Sequence, residues 1–154
     1  MKLEKYEFEA KSSHMLFEFV SDGPKGKIIK VVSYSETNLK GFYNLLLGDQ
    51  GADGSVDDLA NSGNGDAEKV LATVVSTLYS FTDKYPDYWV YALGGDEKRT
   101  RLYRMGINKY LTDISNDFII FGLTDGQWKK FRKNGDYSAF LAKRKIINSN
   151  HEKR

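Results

Sequence analysis

Apolar and polar side chains alternate with a period of about two through much of the first third of the chain, which is typical of β-strands with one buried face. The alternation is clear at residues 6–10 and 15–20, and residues 27–34 are rich in β-branched side chains. Turn-forming residues fill 21–26, between the last two stretches, and this arrangement predicts a β-hairpin. Residues 42–47 fit either a third strand or a short helix, and the shortness of the run favours the strand.

Further along the chain, the spacing of apolar residues changes to the helical period. The residues at this spacing are Val70, Val74, Leu78 and Phe81. Asn64 or Asp66 is suited to cap the start of the helix. Pro86 predicts that the helix ends near Tyr85, because the residue before a proline disfavours helical geometry.

Residues 48–66, between these two regions, are dense in glycine and aspartate and predict a long loop with one helical turn at 56–60. The aspartates recur at intervals of about four, which does not match the ligand positions of a helix-loop-helix calcium site. No metal site is therefore expected here.

The second half of the chain alternates between the two patterns. Residues 88–93 predict a strand, Gly94 and Gly95 a turn, and Asp96 the cap of a second helix that reaches Tyr110. Residues 118–122 predict a short strand, and amphipathic segments follow. The whole order predicts an α+β (or mixed α/β) domain: N-terminal antiparallel strands, then helix, strand, helix and strand, with one sheet layer covered by helices.

Composition narrows the class of protein. The 154 residues, 40% of them hydrophobic and 14% aromatic, suffice for one domain with a buried core, which we place at 1–147, followed by a polar tail at 148–154. The absence of cysteine and the presence of only two histidines exclude a disulfide framework, a cysteine hydrolase and a structural zinc site. No apolar run is long enough for a secretory signal or a membrane span, so a cytoplasmic protein without a membrane partner is expected.

The small net charge of +2 conceals a strong separation of charge along the chain. Residues 44–97 contain two basic and ten acidic side chains, whereas residues 98–154 contain fourteen basic and five acidic ones. The basic third suggests attraction to a polyanion, and the opposite blocks also suggest self-association.

A cluster of basic residues at the start of the second predicted helix is the leading candidate site. It consists of Lys98, Arg99, Arg101 and Arg104. Guanidinium groups and a helix N-terminus both favour phosphate, so we predict binding of nucleic acid or a nucleotide. Helical spacing puts Arg101 and Arg104 on one face and turns Arg99 away. The alternative is a solvated helix face that pairs with the acidic residues 49–58.

The glycine-rich segment before the first helix is a second candidate. Gly63 and Gly65 could let backbone N–H groups approach a phosphate, with Lys69 one turn into the helix. The segment matches neither a Walker loop nor a dinucleotide fingerprint, and Asp66 adds a negative charge. A turn followed by a helix cap is the alternative interpretation.

An aromatic set near the basic cluster admits two interpretations. Its members are Tyr85, Tyr88, Trp89, Tyr91 and Tyr103. Such side chains can stack on bases or pack in the core.

The chain carries two resemblances to known families. The motifs Asn64-Gly65-Asp66 and 99–103 (Arg-Thr-Arg-Leu-Tyr) make it similar, over nearly its whole length, to an uncharacterised family of bacterial proteins of about 150 residues, a domain of unknown function. Residues 63–122 also resemble the central half of the N-acetyltransferase superfamily. That likeness implies coenzyme A as a cofactor, held by Gly63, Gly65 and Lys69, with Tyr103 as the general acid; without it no cofactor is expected.

Three functions follow. The leading one is binding of a phosphate-rich ligand at the basic helix start. The alternatives are an acetyltransferase-like enzyme and a protein-interaction module.

Overall fold

The computed structural model describes residues 4–51, 56–57, 64–93 and 97–146. The strands are β1 Glu9–Lys11, β2 Leu16–Gly23, β3 Gly26–Glu36, β4 Phe42–Gln50, β5 Val56–Asp57, β6 Trp89–Leu93, β7 Phe118–Thr124, β8 Gln127–Lys130 and β9 Ala139–Arg144. The helices are α1 Ala67–Lys84, α2 Glu97–Lys109 and α3 Leu111–Asp117. The predicted α+β class, with strands first, is confirmed.

The described strands form one mixed sheet in the order β1-β2-β3-β4-β6-β9-β7-β8, with β5 paired to β4. Strands β4 and β6 are parallel, and α1 lies in the connection between them. The other pairs are antiparallel. The last strand, β9, inserts between β6 and β7, so the C-terminal segment completes the middle of the sheet.

The predicted hairpin and third strand are confirmed. Strands β2 and β3 pair from Leu16 opposite Ser33 to Gly23 opposite Gly26, which leaves a two-residue turn. The 42–47 stretch is strand β4, and it continues to Gln50. Its buried side chains alternate along the strand, which orients one face toward the helices.

The alternating pattern at 6–10 was only partly correct as a strand prediction, since β1 begins at Glu9. The reason lies in the backbone of Tyr6, whose N–H donates to Thr73 Oγ1 of α1 at 2.9 Å. Its ring stacks on Phe19 with centroids 5.7 Å apart. The apolar residues of this segment therefore pack along α1 and β2 without strand pairing.

The prediction of a continuous loop at 48–66 was wrong at its start. Asp49 and Gln50 belong to β4, and β5 pairs with them where a helical turn was expected. Asp49 Oδ1 also accepts from Lys30 Nζ across the sheet at 2.7 Å, and both side chains are largely buried. Residues 52–55 and 58–63 lie outside the described part of the chain.

Helix α1 begins after Asp66 and ends at Lys84, and the N–H of its C-cap Tyr85 donates to the carbonyl of Phe81. Both predicted boundaries are confirmed. The second predicted helix corresponds to α2, which ends at Lys109. Helix α3, which the sequence did not predict, follows from Leu111 with Tyr110 as its N-cap. None of the described helices has the length and apolarity needed to cross a membrane.

The helices cover one face of the sheet. An apolar seam between them and the strands includes Leu71 and Val74 of α1, Tyr103 of α2, and Val90 and Phe140 from the sheet. Large apolar side chains on the opposite face are exposed instead: Val20, Ile29, Leu93, Ile119 and Trp128. This second face has no covering layer within the described part of the chain.

Candidate functional site

The segment before α1 is tied to the first hairpin by a buried amide. Asn64 is 3% exposed. Its Nδ2 group donates to Ser21 Oγ at 3.1 Å and to the Gly26 carbonyl at 2.9 Å, and its Oδ1 accepts from the Lys25 N–H at 2.8 Å. We call these contacts the Asn64 clamp.

Asp66 occupies the N-cap position, but its side chain makes no capping hydrogen bond. Its Oδ2 accepts instead from Tyr6 Oη at 2.6 Å and from Ser21 Oγ at 2.5 Å. Burial raises the pKa of Tyr6, and the adjacent Asp66 carboxylate raises it further. Gly65 has a φ of +75°, a conformation that favours glycine. Residues 64–66 thus hold the start of α1 against β2 and β3.

A cavity of about 750 Å³ lies over this end of α1 and includes Gly65 and Lys69 in its lining. The acidic residues that line it are Glu4, Asp22, Asp49, Asp66 and Glu68. Two lysines face these five carboxylates, and Lys69 Nζ lies 4.3 Å from the centroid of the Tyr6 ring. This excess of negative charge disfavours a phosphate. Gly63 lies outside the described residues.

A second cavity, of about 700 Å³, lies between α2 and the end of β7, and we call it the arginine cavity. Arg101 and Arg104 both line it, as helical spacing predicted. Hydroxyl groups of Thr124 and Ser138 share its wall. Three carboxylates also line it, those of Glu97, Asp125 and Asp136.

One ion pair lies in the arginine cavity. Arg104 Nη1 is 3.1 Å from Asp136 Oδ1, and the Asp136 side chain is 97% exposed. Such exposed pairs contribute little to stability, so an anionic ligand can displace the carboxylate at small cost. The alternative interpretation, in which this cluster pairs with residues 49–58, can be compared only for the described side chains, where Arg104 contacts Asp136 and Asp49 contacts Lys30.

The floor of the arginine cavity is fixed by Tyr137, which is 7% exposed. Its hydroxyl accepts from the Arg132 N–H at 2.9 Å. A Cβ at Gly122 would overlap the Tyr137 ring, and one at Gly135 would lie 2.6 Å from it. Glycine at these two positions therefore lets the ring pack directly against the backbone there.

The predicted residues do not meet in one site. Gly65 and Lys69 line the first cavity, and Arg101 and Arg104 line the second. Lys98 and Arg99 belong to α2 by their backbone, but their side chains lie outside the described part, as do Gly94, Gly95 and Asp96. Tyr103 is 6% exposed and lines the apolar seam.

The uncovered half of the sheet carries a group of aromatic side chains. In register across β4, β6, β9, β7 and β8, the positions that point away from the helices form three rows. The rows are Phe42, Trp89, Lys143 and Ile119; then Asn44, Tyr91, Leu141, Phe121 and Lys130; then Leu93, Ala139, Leu123 and Trp128. We call this surface the open face.

Aromatic rings on the open face contact one another. Trp89 stacks on Phe42 with centroids 5.9 Å apart and an interplanar angle of 5°, and it lies 6.0 Å from Phe121. Tyr91 and Trp128 meet edge to face at 5.9 Å. These contacts hold the rings side by side across four strands.

Comparison with protein-family models identifies the family of the chain. A model described as a family of unknown function, DUF6934, matches residues 2–145. The chain belongs to DUF6934. Neither the curated proteins nor the solved structures compared with the chain contain a match. The resemblance to a domain of unknown function over nearly the whole chain is thus confirmed.

The DUF6934 match spans both cavities and the open face, which all lie between Glu4 and Lys143. Sequence reasoning identified Trp89 and Tyr91 of the open face, whereas Tyr85, Tyr88 and Tyr103 pack in or against the core. It missed Phe42, Phe121 and Trp128. Apolar residues at alternate positions of each strand were the available signal, but only the strand order brings them together.

Proposed function

We propose that this DUF6934 protein binds a phosphate-rich ligand, a nucleic acid or a nucleotide, at the arginine cavity. The observation that supports the proposal is the joint entry of Arg101 and Arg104, one helical turn apart, into one cavity of about 700 Å³. Guanidinium groups bind phosphate oxygens through two parallel hydrogen bonds, and neighbouring hydroxyl groups can accept or donate as the ligand requires. A cavity of this volume accommodates a nucleotide-sized group.

The exposed Arg101 and the basic surplus around the cavity support an anion, although three carboxylates also line the cavity. Arg101 is exposed, and no ion pair joins it to another described residue. Arg104 can release its exposed partner, Asp136, and bind the ligand instead. Residues 98–154, which include most of α2 and the strands β7, β8 and β9, contain fourteen basic and five acidic side chains. Such a surplus attracts polyanions over distances near the Debye length.

The first cavity supports no comparable proposal. Its five carboxylates oppose the pyrophosphate of coenzyme A. Tyr103 faces the apolar seam, so Gly65, Lys69 and Tyr103 do not share one cavity. We therefore do not propose acyl transfer.

Arg101→Ala tests the proposal, with Lys109→Ala as a control that removes a cation from the same helix outside the cavity. Fluorescence anisotropy with a labelled oligothymidylate of about 15 nucleotides, and calorimetry with ATP, measure affinity. We expect Arg101→Ala to weaken binding of at least one probe by about 10-fold or more, because it removes charge-assisted hydrogen bonds. Lys109→Ala should change affinity less than about threefold.

Salt dependence provides a second measurement. For single strands the logarithm of the association constant falls with the logarithm of salt concentration by about 0.7 per phosphate contacted, and Arg101→Ala should reduce that slope. Equal effects of the two substitutions on every probe, or no binding of any probe at low salt, would contradict the proposal.

A further inference from the structure

The open face points to the class of ligand. We infer that it stacks the bases of a single-stranded nucleic acid whose phosphates reach the arginine cavity. This inference rests on the proposed function and deepens it, because it selects single strands over duplexes and free nucleotides. The observation behind it is the juxtaposition of one exposed and four half-buried aromatic rings with two lysines on the open face, whose positions on the five strands include no carboxylate.

Exposure is the first step of the argument. Trp128 is 41% exposed, Leu93 48% and Ile119 40%, and all three lie on the open face. Contiguous exposed apolar patches on soluble domains commonly mark binding surfaces. Aromatic rings presented by an antiparallel sheet are platforms on which successive unpaired bases stack, and stacking tolerates any base sequence.

The charge of the open face is the second step of the argument, and it favours a nucleic acid as the ligand. Among the open-face positions of β4, β6, β7, β8 and β9 there is no carboxylate. Lys130 and Lys143 lie among the aromatic rings, and Lys143 Nζ is 5.9 Å from the centroid of the Trp89 ring. Aromatic rings with lysines beside them offer stacking surfaces for the bases and cations for the phosphates of a single strand. A second copy of the chain would instead bury these lysines at an apolar interface, which costs free energy.

Side-chain direction supports this placement of the lysines. Arg144, next in sequence to Lys143, points to the other side of the sheet and donates to Thr82 Oγ1 at 2.6 Å and to Asp83 Oδ1 at 2.5 Å. No side-chain hydrogen bond or ion pair engages Lys130 or Lys143 within the described part of the chain. The alternation of β9 thus separates a structural cation from a solvent-facing one.

Continuity with the arginine cavity is the third step. Leu123 lines that cavity and pairs with Trp128 across β7 and β8. A chain of nucleotides stacked on Tyr91 and Trp128 can therefore extend over the end of β7 toward Arg101 and Arg104. Duplex nucleic acid cannot follow this path, because its bases are paired and already stacked.

The test uses the full chain and Trp128→Ala, with Ile29→Ala as the matched control. Ile29 is 42% exposed on the same side of the sheet but on β3, beyond the open face. Probes are labelled oligothymidylate, oligouridylate and duplex DNA of equal length, which also separates DNA from RNA. We expect single strands to bind more tightly than the duplex, and Trp128→Ala to weaken their binding by roughly 5- to 150-fold, the effect of losing one stacked base. Trp128→Phe should restore most of the affinity, and Ile29→Ala should leave it unchanged.

Intrinsic fluorescence gives a direct second readout. The chain has two tryptophans, Trp89 and Trp128, and both lie on the open face. Bases that stack on these rings should quench the tryptophan emission in proportion to binding.

The outcomes separate the inference from the proposed function. If ATP or oligonucleotides bind and Arg101→Ala weakens them, but Trp128→Ala does not and emission is unquenched, the inference is overturned and the proposed function stands. If no probe binds, both fall. If light scattering shows a dimer that Trp128→Ala dissociates, with no quenching by any single strand, the open face is an interface between copies and the inference is overturned.

Discussion

Asn64→Ala removes a side chain that connects the start of α1 to the first hairpin. The alanine loses three hydrogen bonds, those with the Lys25 N–H, the Gly26 carbonyl and Ser21 Oγ. It leaves a small hole at a position that is 3% exposed. The backbone there is tightly packed, since a Cβ on Gly23 would overlap the Asn64 carbonyl oxygen. The surrounding chain therefore cannot collapse into the hole without moving β2 or β3.

The magnitude follows from these contacts. Each hydrogen bond contributes about 0.5–1.5 kcal/mol net, so the loss of three should lower the free energy of unfolding by about 3 kcal/mol. For a chain of this length that corresponds to a fall in Tm of roughly 6–12 °C. Asn108→Ala is the control, because the Asn108 side chain accepts one exposed hydrogen bond, from the Asn134 N–H at 3.1 Å. Its cost should stay below about 1 kcal/mol.

Urea denaturation followed by circular dichroism, together with thermal unfolding, measures both variants. If Asn64→Ala lowers the free energy of unfolding by no more than Asn108→Ala does, the Asn64 clamp does not stabilise the fold as argued. Ligand affinity gives a further distinction, measured at a temperature where the variant is folded. If residues 64–66 serve only to position α1, the oligonucleotide affinity of folded Asn64→Ala should equal that of the unchanged protein. If the glycine-rich segment instead holds a phosphate of the ligand, Asn64→Ala should lower the oligonucleotide affinity.

Two more predictions concern buried polar groups. Lys30→Met should destabilise the protein by about 3–5 kcal/mol, because it leaves Asp49 buried without its partner, and adding Asp49→Leu should recover much of that loss in urea denaturation. Burial, with a neighbouring tyrosine, raises the pKa of Tyr43 to about 12. The folded state therefore holds this proton more tightly than the unfolded chain, whose tyrosines titrate near pH 10. Its contribution to stability is complete below about pH 10 and is lost as the pH rises toward 12, so Tyr43→Phe should flatten the alkaline fall in the urea midpoint. Identical pH profiles for the two proteins would contradict this.

Sequence patterns predicted the elements whose causes are local. The helical spacing of Val70, Val74, Leu78 and Phe81 is a property of one helix, and Pro86 sets its end without reference to the rest of the chain. The β2–β3 hairpin depends on a two-residue turn between adjacent strands. The amphipathic segments around Trp128 and Phe140 did not reveal β8 and β9, because four to six residues do not distinguish the periods.

The candidate site depends on contacts between distant segments. Asn64 is a good helix cap by type, yet its partner Ser21 lies 43 positions earlier in the chain, and no local pattern predicts that contact. Trp128 meets Tyr91 only because β9 inserts between β6 and β7. Such strand orders follow from the packing of the whole domain, which a single sequence does not display.

The effect of the charge separation along the chain depends on which cations the fold pairs with other groups. Several of the cations in the basic third have structural partners: Arg144 joins β9 to α1, Lys145 donates to the Ser115 carbonyl at 2.6 Å, and Lys109 pairs with Glu68. Arg101, Lys130 and Lys143 make no ion pair with a described residue and face solvent at the arginine cavity or on the open face. Because a cation held by a structural partner contributes little to phosphate binding, affinity should depend on these three side chains and on Arg104, whose partner Asp136 is exposed, and not on the total charge.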